Sequence, residues 1–136
     1  MSVTRNGELD ARTCRELLEG AEIGRVAVCT PTGPQILPVT YVVDGASIVF
    51  RTAPYGVLGR HAWRGRIAFE IDHADVATRS GWSVVATGPG ELVEDADELA
   101  GLRAFHDLHP WAPGSRLLYL RLRWDTLTGR RVRATP

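Results

Sequence analysis

Few residue types in this chain can carry chemistry, and their spacing sorts most of them. All 16 basic residues are arginine and none is lysine, so no side-chain amine exists for Schiff-base chemistry. A phosphate would have to be held by guanidinium forks, hydroxyls and backbone N–H groups. No Gly-x-Ser-x-Gly elbow presents a serine nucleophile. Cys14 and Cys29 form no Cys-x-x-Cys pair and have no second ligand pair at zinc spacing, so both read as buried free thiols. His106 and His109 stand at the i, i+3 spacing of a metal pair, but they read as two polar residues at the end of a solvated helix before Pro110. Asp72-His73-Ala74-Asp75 could be an acid/base cluster, although it follows a strand, where turn residues and caps are the default.

The local charge pattern is more informative. Residues 51–66 carry four arginines, Arg51, Arg60, Arg64 and Arg66, with no acid among them, and the same stretch offers Thr52, Gly56 and a helix start. A phosphate monoester needs such a set of forks, a hydroxyl and backbone donors. A solvated basic face satisfies the same composition.

These residues need elements to position them. Apolar residues recur at spacings of three and four through residues 9–18, which predicts a short amphipathic helix with Asp10 as N-cap and Gly20 ending it. The period then changes to two or to continuous apolar runs at 25–30, 36–43, 47–52, 66–72, 82–93 and 117–127, each rich in Val, Ile, Thr or aromatics. These are six strands, and Asp44-Gly45 between the second and third is a strong hairpin signal. Residues 53–65 break the pattern and predict a turn or two of helix, while acids crowd the start of a further helix over 95–109 that Pro110 stops. Six antiparallel strands with few helices must hide their edges, which predicts a small closed or nearly closed barrel in one domain spanning residues 1–136. The βαβ alternation and the Gly-x-Gly-x-x-Gly of a dinucleotide fold are both missing.

Composition narrows the function classes. The chain has 16 basic and 16 acidic residues, 44% hydrophobic and 24% charged, and its isoelectric point near 6.9 leaves no electrostatic footprint for duplex nucleic acid or an anionic membrane. No apolar run approaches a membrane span, and the polar start lacks a signal-peptide core. A cytoplasmic protein is expected.

Read as a whole, the sequence resembles the pyridoxamine 5'-phosphate oxidase-like flavoproteins, the FMN-binding split-barrel family, and among them the small actinobacterial-type members. The resemblance rests on Gly24-Arg25-Val26-Ala27-Val28, Pro38-Val39-Thr40-Tyr41-Val42-Val43-Asp44-Gly45 and Ile48-Val49-Phe50-Arg51-Thr52. It continues through Ala68-Phe69-Glu70-Ile71-Asp72, Gly81-Trp82-Ser83-Val84-Val85-Ala86-Thr87-Gly88, Pro110-Trp111 and Thr128-Gly129-Arg130-Arg131. Each motif is weak alone; their order and spacing together are specific.

The resemblance implies a homodimer of six-stranded antiparallel split β-barrels with FMN at the subunit interface. It would lay Pro38, Val39 and Thr40 along the flavin ring, put Arg51 and Thr52 on the phosphate and bring Ser83 to the ring's polar edge. Trp111, Arg130 and Arg131 would lie near the partner's cofactor. Many relatives carry a lysine just before the leucine matching Leu58, and here that position is Val57; Arg60, one helical turn away, is the candidate replacement. Some branches of the family use the deazaflavin coenzyme and others bind haem. The implied activity is oxidation or reduction of a small organic substrate, with flavin binding or storage without turnover as the other reading. Pyridoxamine phosphate oxidation itself does not follow from fold.

Overall fold

The computed structural model describes residues 7–106 and 118–133. The first helix, α1, spans Ala11–Glu19, with the Asp10 carboxylate accepting from the Thr13 N–H and Gly20 closing it. Leu9, expected inside this helix, instead precedes it: its N–H donates to the Gly129 carbonyl at 2.9 Å. Four strands and a helix follow, β1 (Ile23–Thr30), β2 (Gly33–Val43), β3 (Ser47–Thr52), α2 (Val57–His61) and β4 (Arg66–Asp75). The chain continues as β5 (Ser80–Leu92), α3 (Ala96–Phe105), β6 (Leu118–Arg123) and β7 (Thr126–Arg133).

Neighbouring strands run antiparallel in the order β4-β1-β2-β3-β6-β5-β7, and a further pairing of β4 with β5 closes the first six into a barrel. The expected six-stranded antiparallel barrel is therefore present, with β7 added outside the closure on β5. Side chains alternate in and out with period two, so Val26, Phe50, Phe69, Ile71, Val84, Leu120 and Leu122 fill the interior. Gly24 faces inward beside Phe69, and a methyl group there would overlap its ring. That space lets Phe69 pack edge-on against Tyr41 with centroids 4.6 Å apart. The Tyr41 hydroxyl donates to the Leu18 carbonyl, tying α1 to the barrel, and burial pushes the phenol well above its ordinary value.

Several expectations need correction. The predicted strand over 117–127 is two strands, β6 and β7, separated at Trp124 and Asp125. The apolar alternation runs through the bend, so the break comes from tertiary contacts: Trp124 N–H donates to Ala46, Asp125 N–H to Thr87, and the Asp125 carboxylate takes both arms of the Arg66 fork at 2.7 Å. The strand predicted to end at residue 72 continues to Asp75, so Asp72 to Asp75 are strand residues rather than turn residues. Cys14 is buried as expected, whereas Cys29 is exposed. With Val26 and Val28 pointing inward, the period of β1 turns Cys29 outward.

The Asp44-Gly45 hairpin joins β2 to β3, with Gly45 at φ +60°. The third helix packs Leu99 and Leu102 on the outer wall against Val42, Val49, Val93 and Tyr119. No helix among the described residues is long and apolar enough to cross a membrane.

Candidate functional site

Register places the candidate residues. Thr40 on β2 pairs with Ile23 on β1, and Pro38 pairs with Arg25, which pairs in turn with Glu70 on β4. Asp72 on β4 pairs with Ser83 on β5, and Ser83 with Arg130 on β7. Tyr41 pairs with Phe50 inside the barrel, so continuing by one residue sets Thr40 opposite Arg51 on the outer wall, where Arg51 pairs with Tyr119 of β6. Continuing β1 against β4 in the same way sets Ile23 opposite Asp72. Arg51, Thr40, Ser83 and Arg130 thus belong to one outward row across β3, β2, β1, β4, β5 and β7.

That row is long. Four strand steps separate Arg51 from Ser83, about 19 Å along the wall at roughly 4.8 Å per step. The other way round takes two strand steps through β6 but reaches the far end of β5, beside Val93, whose N–H donates to Tyr119 at 2.9 Å. From there Ser83 is ten residues back along the strand, roughly 33 Å. One chain therefore presents two separate groups of candidates.

The first group lies at the end of β3. The Arg51 guanidinium sits 5.1 Å from the centroid of the Tyr119 ring, a stacking that orients its fork. Thr52 is buried, on the interior side opposite Leu118. Arg60 is exposed on α2, while Val57 at the start of that helix packs against the barrel core. The position where the resemblance leads one to expect a lysine is thus a packing position here. Gly59 lies so close to the Ala53 carbonyl that a methyl group would overlap it, which folds α2 tightly back on the end of β3. Pro38 is exposed on the same wall, and Val39 points inward and packs against the core.

The second group lines a cleft of about 450 Å³ at the far end of β4 and β5. Its walls include Asp72, Trp82, Ser83, Arg130 and Val132. On β5, Trp82 shares the inward side of Val84 and Ala86 and packs against the core, while Ser83 stands on the outward side. The same alternation separates the two arginines of β7, since Arg130 pairs with Ser83 and lines the cleft but Arg131 pairs with Trp82 on the other side. Gly129 between Leu127 and Arg131 packs against the Cys14 sulfur, where a side chain would clash. Trp111 and His109 lie outside the described residues.

Sequence reading singled out the cleft's charged groups but assigned them to a turn. Asp72, His73 and Asp75 line the cleft because β4 runs on to Asp75. Sequence reading missed a cluster beneath α3. The buried Arg121 donates to Asp44 at 2.9 Å and to the Ser47 hydroxyl, and the other Asp44 oxygen lies 3.3 Å from His106 Nε2. The Arg121 fork, with His106 assisting, holds the Asp44 carboxyl below the usual carboxylate range. His106, a metal candidate by spacing, is thus an anchor for the end of α3, and no group of three or more metal-ligating side chains occurs among the described residues.

The comparisons with known proteins agree with this architecture. The family described as Pyridoxamine 5'-phosphate oxidase matches residues 10–131. A relative from Mycobacterium tuberculosis, uncharacterized protein Rv0080, is 31% identical over 130 residues, covering 92% of this chain and 84% of its own. Among solved structures, the FAD binding protein from Mycobacterium smegmatis superimposes with a TM-score of 0.78 at 29% identity, over 93% of this chain and 98% of that one. An FAD-binding protein from Mesorhizobium loti, at 22% identity and TM-score 0.72 over 92% and 96% of the two chains, shares the fold. With a match over nearly its whole length and the closed barrel to go with it, the chain belongs to the pyridoxamine 5'-phosphate oxidase family.

Proposed function

We propose that the protein is an FMN-dependent oxidoreductase acting on a small organic substrate, with each flavin shared between two copies of the chain. The observation that carries this reading is the separation of the two candidate groups along one outward row. Arg51 and Arg60 suit a phosphate, Ser83 and Arg130 suit the polar edge of a ring, and about 19 Å of wall divides them on one chain. A second copy docked on this wall supplies the missing half. The wall itself favours docking, because Ile23, Ile36 and Val132 expose 38%, 69% and 59% of their surface on it. The solved M. smegmatis relative is named for binding FAD, which supports a flavin as the ligand class.

The residues at hand fit such a group. Residues 51–66 contain arginine forks and no carboxylate, so the donor set is matched to an anion. The cleft beside Trp82 is largely apolar with a few polar groups, as a planar ring requires. A bound flavin would supply hydride transfer, and the protein its orientation and electrostatics. Arg51 and Arg60 would fix the phosphate. Ser83 can donate or accept one hydrogen bond, so it can follow a ring edge whose hydrogen-bonding pattern changes with redox state. Substrate would enter over the open cleft.

The test is the ligand that copurifies, released by heat and identified by mass spectrometry, with reduction by a nicotinamide donor followed in the flavin absorbance band. FMN bleached by the donor is the expected result. FAD or deazaflavin would replace FMN in the reading, and flavin that cannot be reduced would favour storage. A colourless protein that takes up no flavin would overturn it.

A further inference from the structure

The outward wall holds one feature beyond the phosphate and ring contacts described above. Glu70 and Asp72, two residues apart on β4, point the same way, and a single Arg25 nitrogen, Nη1, donates to both, at 2.8 Å to Glu70 and 3.3 Å to Asp72. Pro38 pairs with Arg25 on one side, and on the other Glu70 and Asp72 pair with Val85 and Ser83. Asp72 also lines the cleft with Ser83 and Arg130. The other titratable or charged groups lining the cleft are Arg130 across β5, His73 next to Asp72 on β4 and, at the hairpin end, Asp75 and Arg79.

One guanidinium cannot neutralise two adjacent carboxylates, and like charges this close disfavour double ionisation. Glu70 is the more enclosed of the two, its side chain 33% exposed against 41% for Asp72. Burial raises the Glu70 carboxyl above its ordinary range, and the neighbouring Asp72 raises it further against the pull of Arg25.

We propose that Glu70 and Asp72 come to share one proton when a planar ligand settles in the cleft, so that binding at this site is coupled to proton uptake. The inference rests on the flavin reading of the same cleft. Its physical cause is desolvation: Asp72 lines the cleft and is tied to Glu70 through the shared Arg25 nitrogen, so a ring that strips water from Asp72 leaves one guanidinium between two carboxylates and favours the neutral form of one of them. Uptake of one proton makes affinity fall with rising pH, by up to about tenfold per pH unit between the free and bound titrations.

Riboflavin is the suitable probe, since it lacks a phosphate that would titrate in the same range. Calorimetric titrations of the full chain in buffers of different ionisation heat count the protons taken up per ligand bound. The expected result is net uptake in the native protein and its loss in Glu70→Gln, with riboflavin affinity then independent of pH. Carboxyl-carbon NMR on the free protein should show Glu70 titrating above the ordinary glutamate range and returning toward it in Asp72→Asn. Riboflavin binding without proton uptake, or uptake unchanged in Glu70→Gln, would overturn the coupling and leave the flavin reading intact. Failure of both riboflavin and FMN to bind would overturn both.

Discussion

Replacing Arg51 or Arg60 by alanine should weaken FMN far more than riboflavin, because the lost forks would touch only the phosphate. A hydrogen bond to a charged group contributes about 1.5 to 3 kcal/mol, so each substitution should weaken FMN by roughly ten- to a hundredfold while riboflavin changes little. The structure separates the two arginines in a second respect. Arg51 stacks on Tyr119, and losing that contact costs about 0.5 to 1 kcal/mol of stability at a surface site. Arg60 is exposed, so its truncation should leave the melting temperature unchanged. Fluorescence titration of both flavins against the native chain and the two variants, with a thermal melt of each, measures all of this. An Arg51→Lys control keeps charge but loses the fork and should recover only part of the affinity. Equal losses of FMN and riboflavin would refute the reasoning and return both arginines to a solvated face.

A shared site makes a sharper claim in mixtures. Arg51→Ala and Ser83→Trp homodimers should each bind flavin poorly, but a heterodimer should regain one intact site per dimer, whereas a site within one chain would give none; flavin stoichiometry after mixing decides it. Ser83→Ala should leave the fold intact and shift flavin affinity or reduction potential by about 1 kcal/mol, the contribution of one neutral hydrogen bond, as read by spectroelectrochemistry. Trp82→Ala should instead lower the denaturant midpoint, by about 2 to 3 kcal/mol, less than for a fully buried tryptophan because Trp82 is half-buried. The Asp44 carboxyl is held down by Arg121 and His106, so its contribution to stability is present above the ordinary carboxylate range and is lost as pH falls through its lowered value. Asp44→Asn should therefore destabilise the chain at neutral pH, by about 1 to 2 kcal/mol after allowing for its partial exposure, and the gap should close in acid; melts across pH would show whether it does.

The local terms of this fold were legible from the residues. Period-two runs named the first five strands, Asp10 and Gly20 marked the ends of α1, and Asp44-Gly45 marked its hairpin, because capping, turn chemistry and alternation act over a few neighbours and leave their signature in the chain. Alternation also puts Trp82 and Ser83 on opposite sides of one strand, while pairing decides which of them faces inward. What the residues could not express is anything decided by a distant strand. The break between β6 and β7 depends on Arg66 and Ala46 reaching Trp124 and Asp125, and no local signal interrupts Leu118 to Leu127. Nothing in the spacing of Arg25, Glu70 and Asp72 announces that one guanidinium faces two carboxylates, since that follows from the pairing of β1 with β4 across 45 residues. Closure of the barrel alone brings Arg51, Thr40, Ser83 and Arg130 into a single row and at the same time holds its ends apart, because strand register is a property of pairs of strands and has no counterpart in either strand by itself.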